Sequence, residues 1–309
     1  MSIIVSPIPE HYRALVDDAA IFPPGNAALP QAVSAHREHQ NASYAGLLGA
    51  FVISDVRLPE LIDVLVDAPG AEPGDPLPVS VVVTGGAGSV EPAVRWANGA
   101  DEVNLRCIEL ALRDESDLAH NARRFISAVQ QLVNAGHLED DVTVYVEPPR
   151  PFGQTAPPSW LAALDEVAAM GMRLKFRTGG ATADAFPSSG ELGACIAAAL
   201  DRELPFKCTA GLHNALRHRD HESGFVHHGF LNLLLATRAS LDGATPDEVE
   251  AILDETTATS ITNQLDEIGS EALASARRWF TSFGSCSVLE PLQDLVEFDL
   301  LPDLKLESA

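Results

Sequence analysis

Residues 173–180 read Arg-Leu-Lys-Phe-Arg-Thr-Gly-Gly, RLKFRTGG. Side chains of a strand alternate between two faces, so Leu174, Phe176 and Thr178 share one face while Lys175 and Arg177 share the other. The apolar face belongs against helices, which turns the two cations toward the centre of whatever the strand closes. The Thr-Gly-Gly end is a turn signal. Residues 204–211, LPFKCTAG, repeat the pattern: Phe206 and Cys208 face helices, Lys207 and Thr209 face the centre. The chain has 20 basic residues, and Lys175, Lys207 and Lys305 are its only lysines. Two of the three therefore sit inside apolar strand segments.

Other short, β-branched runs flank this pair. They are AAIF ending at Phe22, LLGAFVIS (47–54), VSVVVT (79–84), EVNLRC (102–107) and VTVYVE (142–147). The runs recur roughly every 23 to 40 residues, the interval of βα units. Between them lie helical patterns. Leu118, Ala122, Phe125, Ile126, Val129, Leu132 and Val133 follow the 3.6-residue period, and Gly136 can close that helix. Ser188-x-x-Glu191 and Thr245-Pro-Asp-Glu248 read as capping boxes. GFLNLLLA (229–236) fits either an eighth strand or a helix.

Strands alternating with helices over 309 residues predict an α/β fold, a (β/α)8 TIM barrel. The barrel is expected over residues 1–253, and 254–309 reads as a C-terminal helical extension packed on it. That extension includes a helix over Glu271 to Phe283 and an acidic tail able to cover one face or form a homo-oligomer contact. Two proline-rich stretches, 70–78 and 148–158, read as loop elaborations of the barrel. No GxGxxG follows the first strand, which disfavours dinucleotide binding.

The formal net charge of -24 disfavours nucleic acid and anionic membranes as partners, since both require a cationic surface. The N-terminus lacks a basic signal-peptide region, and no stretch is long and apolar enough to span a bilayer. Cys107, Cys195, Cys208 and Cys286 show no CxxC spacing, the pattern of reduced thiols in a cytoplasmic protein.

Alternation also predicts the barrel lining. EVNLRC directs Val103, Leu105 and Cys107 outward, leaving Glu102, Asn104 and Arg106 inside. VTVYVE leaves Thr143, Tyr145 and Glu147 inside, and VSVVVT offers Ser80 and Thr84. Barrel centres are normally filled with branched apolar residues, and buried charges are costly even when paired. Such a lining reads as a site, with a self-satisfied ion network as the bland alternative. An amine can lose its proton and attack a carbonyl, whereas a guanidinium cannot. A lysine beside another cation in a dry site has a lowered pKa. Lys175 and Lys207 on adjacent strands can therefore work together, with Glu147 shuttling protons during imine formation.

At these residues the chain resembles the class I deoxyribose-phosphate aldolases over roughly residues 100–211. DEVNLR (101–106) looks like the family's fourth strand, and VTVYVE is similar to its fifth. LKFRTGG (174–180) resembles its Schiff-base strand, and PFKCTAGL (205–212) its seventh. The resemblance implies that Lys175 forms the imine and that Lys207 lowers its pKa. Asn104 stands where the family carries an aspartate, and Arg177 replaces a small residue, which points to an anionic substrate. GFLNLLLA has no counterpart of the family's phosphate-binding turn.

Five histidines crowd into residues 213–228: His213, His218, His221, His227 and His228. With Asp220 or Glu222 they could form a metal site; alternatively they form a polar lid in which His213 touches substrate. Asp17 and Asp18, just ahead of AAIF, and the glycine-rich TGGAG (84–88) are weaker candidates. The expected enzyme is an aldolase-like lyase that needs no cofactor. It uses Lys175, Lys207 and Glu147 on a small anionic carbonyl compound held by Asn104, Arg106, Arg177, Thr209 and His213. A metal-dependent hydrolase or isomerase using the histidine-rich loop, and a non-catalytic small-anion binder, are the alternatives.

Overall fold

A closed parallel barrel forms, with six of the apolar runs as its strands, while AAIF (19–22) lies just beyond the first strand rather than in it. The computed structural model describes residues 8–66, 75–113, 116–151, 153, 156–221, 223–301 and 304. Proline-rich residues 70–74, Phe152, Gln154, Thr155, Glu222 and Lys305 with most of the acidic tail lie outside the described residues. The first seven strands are β1 (Val16–Asp18), β2 (Leu48–Ser54), β3 (Leu77–Val83), β4 (Val103–Ala111), β5 (Thr143–Glu147), β6 (Arg173–Arg177) and β7 (Phe206–Thr209). A short antiparallel hairpin, β8 (His218–Arg219) and β9 (Val226–His227), stands apart from the barrel. The eighth barrel strand is β10 (Phe280–Ser285), which pairs with β7 on one side and β1 on the other.

Helices α1 (Leu29–Asn41), α2 (Leu58–Val66), α3 (Val90–Asn98), α4 (Leu118–Asn134), α5 (Pro158–Ala169) and α6 (Ser189–Leu200) each follow a strand. Leu118, Ala122, Phe125, Ile126, Val129 and Leu132 are buried as the periodicity predicts, and Gly136 leaves α4 with φ +67°. Both capping boxes form: Ser188 with Glu191 starts α6, and Thr245 with Glu248 starts α8 (Pro246–Asp254). GFLNLLLA resolves as helix α7 (Phe230–Leu241), with every residue from Phe230 to Thr237 buried. Helices α9 (Ala258–Ile268), α10 (Ser270–Ala276) and α11 (Leu289–Glu297) complete the set among the described residues.

The boundary expected at residue 253 is corrected by this topology. Without β10 the barrel would be open between β7 and β1, so residues 254–309 are not an extension of a finished barrel. The helix predicted over 271–283 ends at Ala276, and its last residues become β10. Asp254 further ties the two sides together, accepting from Ser189 Oγ at 2.6 Å and pairing with Arg217 at 3.2 Å. No helix among the described residues is long and apolar enough to cross a membrane.

A register irregularity in β4 decides what faces inward there. Val79 pairs with Leu105 but Ser80 pairs with Cys107, which leaves Arg106 as an extra residue. Such a bulge reverses the facing of everything beyond it.

A candidate active site: a charge ladder across the barrel

Register places Lys175 of β6 directly opposite Lys207 of β7. Both side chains are buried, with relative exposures of 3% and 1%. Their partners come from three other strands. Lys207 Nζ lies 2.6 Å from Asp17 Oδ2 of β1 and 2.7 Å from Glu109 Oε1 of β4. Lys175 Nζ lies 2.8 Å from Glu109 Oε2 and 2.7 Å from Glu147 Oε2 of β5. Glu147 Oε1 then accepts from Arg177 Nε at 2.7 Å. The result is a continuous ladder of alternating sign: Asp17, Lys207, Glu109, Lys175, Glu147, Arg177.

Neutral groups complete the ladder's inner rungs. Ser80 Oγ donates to Glu109 Oε1 at 2.7 Å, and Ser282 Oγ of β10 donates to Asp17 Oδ2 at 2.8 Å. The backbone amide of Ala50 donates to Asp17 Oδ1 at 2.9 Å. Beneath them Tyr145 forms a floor, with Lys207 Nζ 5.3 Å from its ring centroid and its hydroxyl 2.9 Å from Thr281 Oγ1. This cation–π contact adds to the fixation of Lys207.

The ladder sets the protonation states. Burial alone pushes the Lys175 amine down, but Glu109 and Glu147 together raise it above its ordinary value. Burial likewise opposes the charge on Lys207, which Asp17 and Glu109 nonetheless lift well above the usual lysine range. Glu109 and Glu147 are raised by burial but held below the ordinary carboxylate range by their cations. The expectation that Lys207 lowers the pKa of Lys175 is therefore corrected. Glu109 stands between the amines and binds both, so attraction to carboxylates outweighs repulsion between the lysines.

One contact differs from the rest. Lys175 donates an aligned hydrogen bond to Glu109, whereas Glu147 Oε2 has no aligned donor despite lying 2.7 Å from Lys175 Nζ. Glu147 belongs electrostatically to Lys175 but is bonded to Arg177, whose side chain is 51% exposed. The ladder thus runs from a buried end at Asp17 to a solvent-reaching end at Arg177. Around that open end the lining is small. A Cβ added to Gly284 of β10 would stop 3.5 Å from Thr209 Oγ1 and 4.0 Å from Ala19 Cβ, and Ala111 at the end of β4 is exposed. This is the C-terminal face, where barrel enzymes carry their sites.

Lys175, Lys207, Glu147 and Arg177 thus meet as the alternation predicts, and Thr209 stands beside them. Asn104 and Arg106 do not. Both are exposed on the first half of β4, and Arg106 pairs with Asp141 at 3.3 Å. Arg106 is the bulge residue, and the phase reversal it causes brings Cys107 within reach of the charges on Lys207, Asp17, Glu109 and Arg173. His213 lies on the loop after β7, against Ser285, Cys286 and Glu290 rather than against either lysine.

Glu109 and Asp17 are the ladder residues that the alternation does not reveal. Glu109 lies beyond the EVNLRC run, inside CIELAL (107–112) at the far end of β4, where a lone glutamate among apolar residues is its only local signal. Asp17 lies inside the first strand, Val16–Asp18, rather than ahead of it. Asp18 turns outward and accepts at 2.9 Å from His36 of α1. In the histidine-rich loop His218 pairs with His227 across the hairpin. His228 is buried with Nε2 2.8 Å from the Pro187 carbonyl. Among the described residues no three His, Cys, Asp or Glu side chains converge to hold a metal. No protein-family model matches the chain, and no curated protein matches it at a significant level.

Proposed function

We propose that this barrel is an aldolase-like lyase that forms a Schiff base between Lys175 and a small anionic carbonyl compound. The observation that carries the reading is the contact between Lys175 and Glu147 at 2.7 Å, next to the half-exposed Arg177. Proton transfer across it turns a buried ion pair into a neutral amine and a neutral acid. That removes two charges from a dry site, which offsets much of the lost attraction.

The free amine then adds to the carbonyl carbon, and Glu147 returns its proton to the departing hydroxyl as water leaves. The resulting iminium accepts the electron pair released when the carbon–carbon bond beside it breaks, giving an enamine; the hydroxyl on the far carbon gives its proton to Glu147 and that fragment leaves as an aldehyde. Arg177 pairs with the substrate's anionic group in place of Glu147, which frees that carboxylate to move protons. Lys207 takes a different role: held by Asp17, it fixes Glu109, which orients Lys175. The resemblance of LKFRTGG to the aldolase Schiff-base strand supports Lys175 as the imine-forming lysine.

The test is borohydride reduction in the presence of a panel of oxo-acids and aldehydes, followed by mapping of modified lysines. An adduct on Lys175 is expected. Ligands that bind measurably yet leave no adduct on Lys175 would overturn the covalent reading. They would favour a second one, for which the raised pKa values of both lysines speak. In that reading the lysines remain charged and the barrel binds a small anion without covalent chemistry.

A further inference from the structure

Three of the four cysteines sit in environments that suppress reactivity. Burial pushes the thiols of Cys107 and Cys195 up to about 12, and pushes that of Cys208 upward as well. Cys286 is different. It follows the last residue of β10 at the barrel mouth and is partly exposed. Its Sγ lies 3.6 Å from His213 Nδ1 and 3.9 Å from Nε2. The same Nδ1 lies 3.1 Å from Glu290 Oε2 of α11 and 3.3 Å from Ser285 Oγ. A thiol and a carboxylate thus converge on one imidazole, which sets a group able to carry positive charge beside the sulfur.

We propose that Cys286 is a reactive thiol of the barrel mouth, activated by His213 and open to oxidation by hydroperoxides. Acyl transfer fits less well. Sulfur and carboxylate both approach Nδ1, so the ring does not bridge them through opposite nitrogens, as a relay requires. Peroxide cleavage requires only a thiolate and a nearby acid. The Cys286 sulfur attacks the terminal oxygen of the hydroperoxide, an S–O bond forms and the O–O bond breaks. The departing alkoxide takes a proton from the His213 imidazolium and leaves as an alcohol. Sulfur loses two electrons to the peroxide, giving a sulfenic acid. Burial opposes the charge on His213, but Cys286 and Glu290 raise its pKa to about 9, so the acid is present at neutral pH. His227 of the hairpin also feels the charge on His213. The inference is independent of the chemistry at Lys175.

The test uses the full chain and two probes: iodoacetamide at a series of pH values, and hydrogen peroxide followed by dimedone. Peptide mapping should place both labels on Cys286 and leave Cys107, Cys195 and Cys208 unmodified in the folded protein. His213→Gln should slow alkylation of Cys286 at pH 7 about tenfold. Glu290→Gln, at a half-exposed position, should act in the same direction but more weakly. Equal rates in wild type and both variants would overturn the proposal. If neither variant folds, comparison of Cys286 with the same cysteine in denaturant decides it: a native rate no faster than the unfolded one refutes activation.

Discussion

Lys175 and Lys207 are register partners on neighbouring strands, yet each ammonium faces a different oxygen of the same carboxylate, Glu109. Glu109 is thus the hub of the ladder, and its loss leaves two buried cations with one carboxylate each. Glu109→Gln should lower unfolding free energy by about 3–5 kcal/mol, the cost of breaking a buried pair from one side. Denaturant unfolding measures this directly. A loss below about 1 kcal/mol would mean that the amines find other partners.

The two lysines should separate by phenotype. Lys207→Met strands Asp17, so the protein should unfold at lower denaturant, but borohydride should still trap substrate on Lys175. Lys175→Met should abolish trapping altogether. Reduction with labelled carbonyl compounds on both variants distinguishes them. An adduct on Lys207 in the Lys175→Met protein would reverse the assigned roles.

The pH dependence of stability separates the ladder from the mouth. Glu109 and Glu147 have depressed pKa values, so their contribution is complete above about pH 4.3 and drains away as the pH falls. The lysines are raised, so their contribution is complete below about pH 10.4 and is lost only above it. His213, raised to about 9, stabilises fully below about pH 6.5 and loses its contribution as the pH rises toward 9. The stability difference between wild type and His213→Gln should therefore shrink over that interval. A constant difference in chemical denaturation would show that His213 does not titrate there.

Gly179 is fixed by close approach rather than by its own turn. A Cβ there would lie 2.9 Å from Gly211 Cα and 2.8 Å from a Phe186 ring carbon. Gly211 itself has φ +73°, and Thr178 Oγ1 donates to the carbonyls of Thr209 and Ala210. The exits of β6 and β7 are thereby clamped back to back beside the lysine rungs. Gly179→Ala should cost about 1–3 kcal/mol by overpacking, and ligand affinity should fall with it. An unchanged melting temperature would show that the two exits can part without penalty.

Six strands, β2 to β7, and the identity of the inward lysines are legible, because those runs are short and apolar and β6 and β7 keep strict alternation. Two features hid the rest. The bulge at Arg106 reversed the phase of β4, so an unbroken alternation sent Asn104 and Arg106 to the site and overlooked Glu109. In β10 the run FTSFGS carries two serines and a glycine, because its inner face needs Ser282 for Asp17 and Gly284 for space at the mouth. Those choices dilute the apolar signal, and the preceding helical pattern through Ala276 runs into the strand. The pairing of the lysines is hidden for a different reason: carboxylate partners arrive from β1 and β4, and no local pattern announces a contact across the barrel.

The late arrival of β10 has a consequence for how the molecule is made. Asp17 receives the Ser282 hydroxyl from 265 residues further along the chain, and β1 finds its second neighbour only there. During synthesis the edges of β1 and β7 stay unpaired until residue 285 has emerged, exposing backbone that other chains can pair with. The closing step is thus among the least local in the fold, which makes it a slow event. The same residues that finish the ladder decide when a newborn chain ceases to be vulnerable to aggregation.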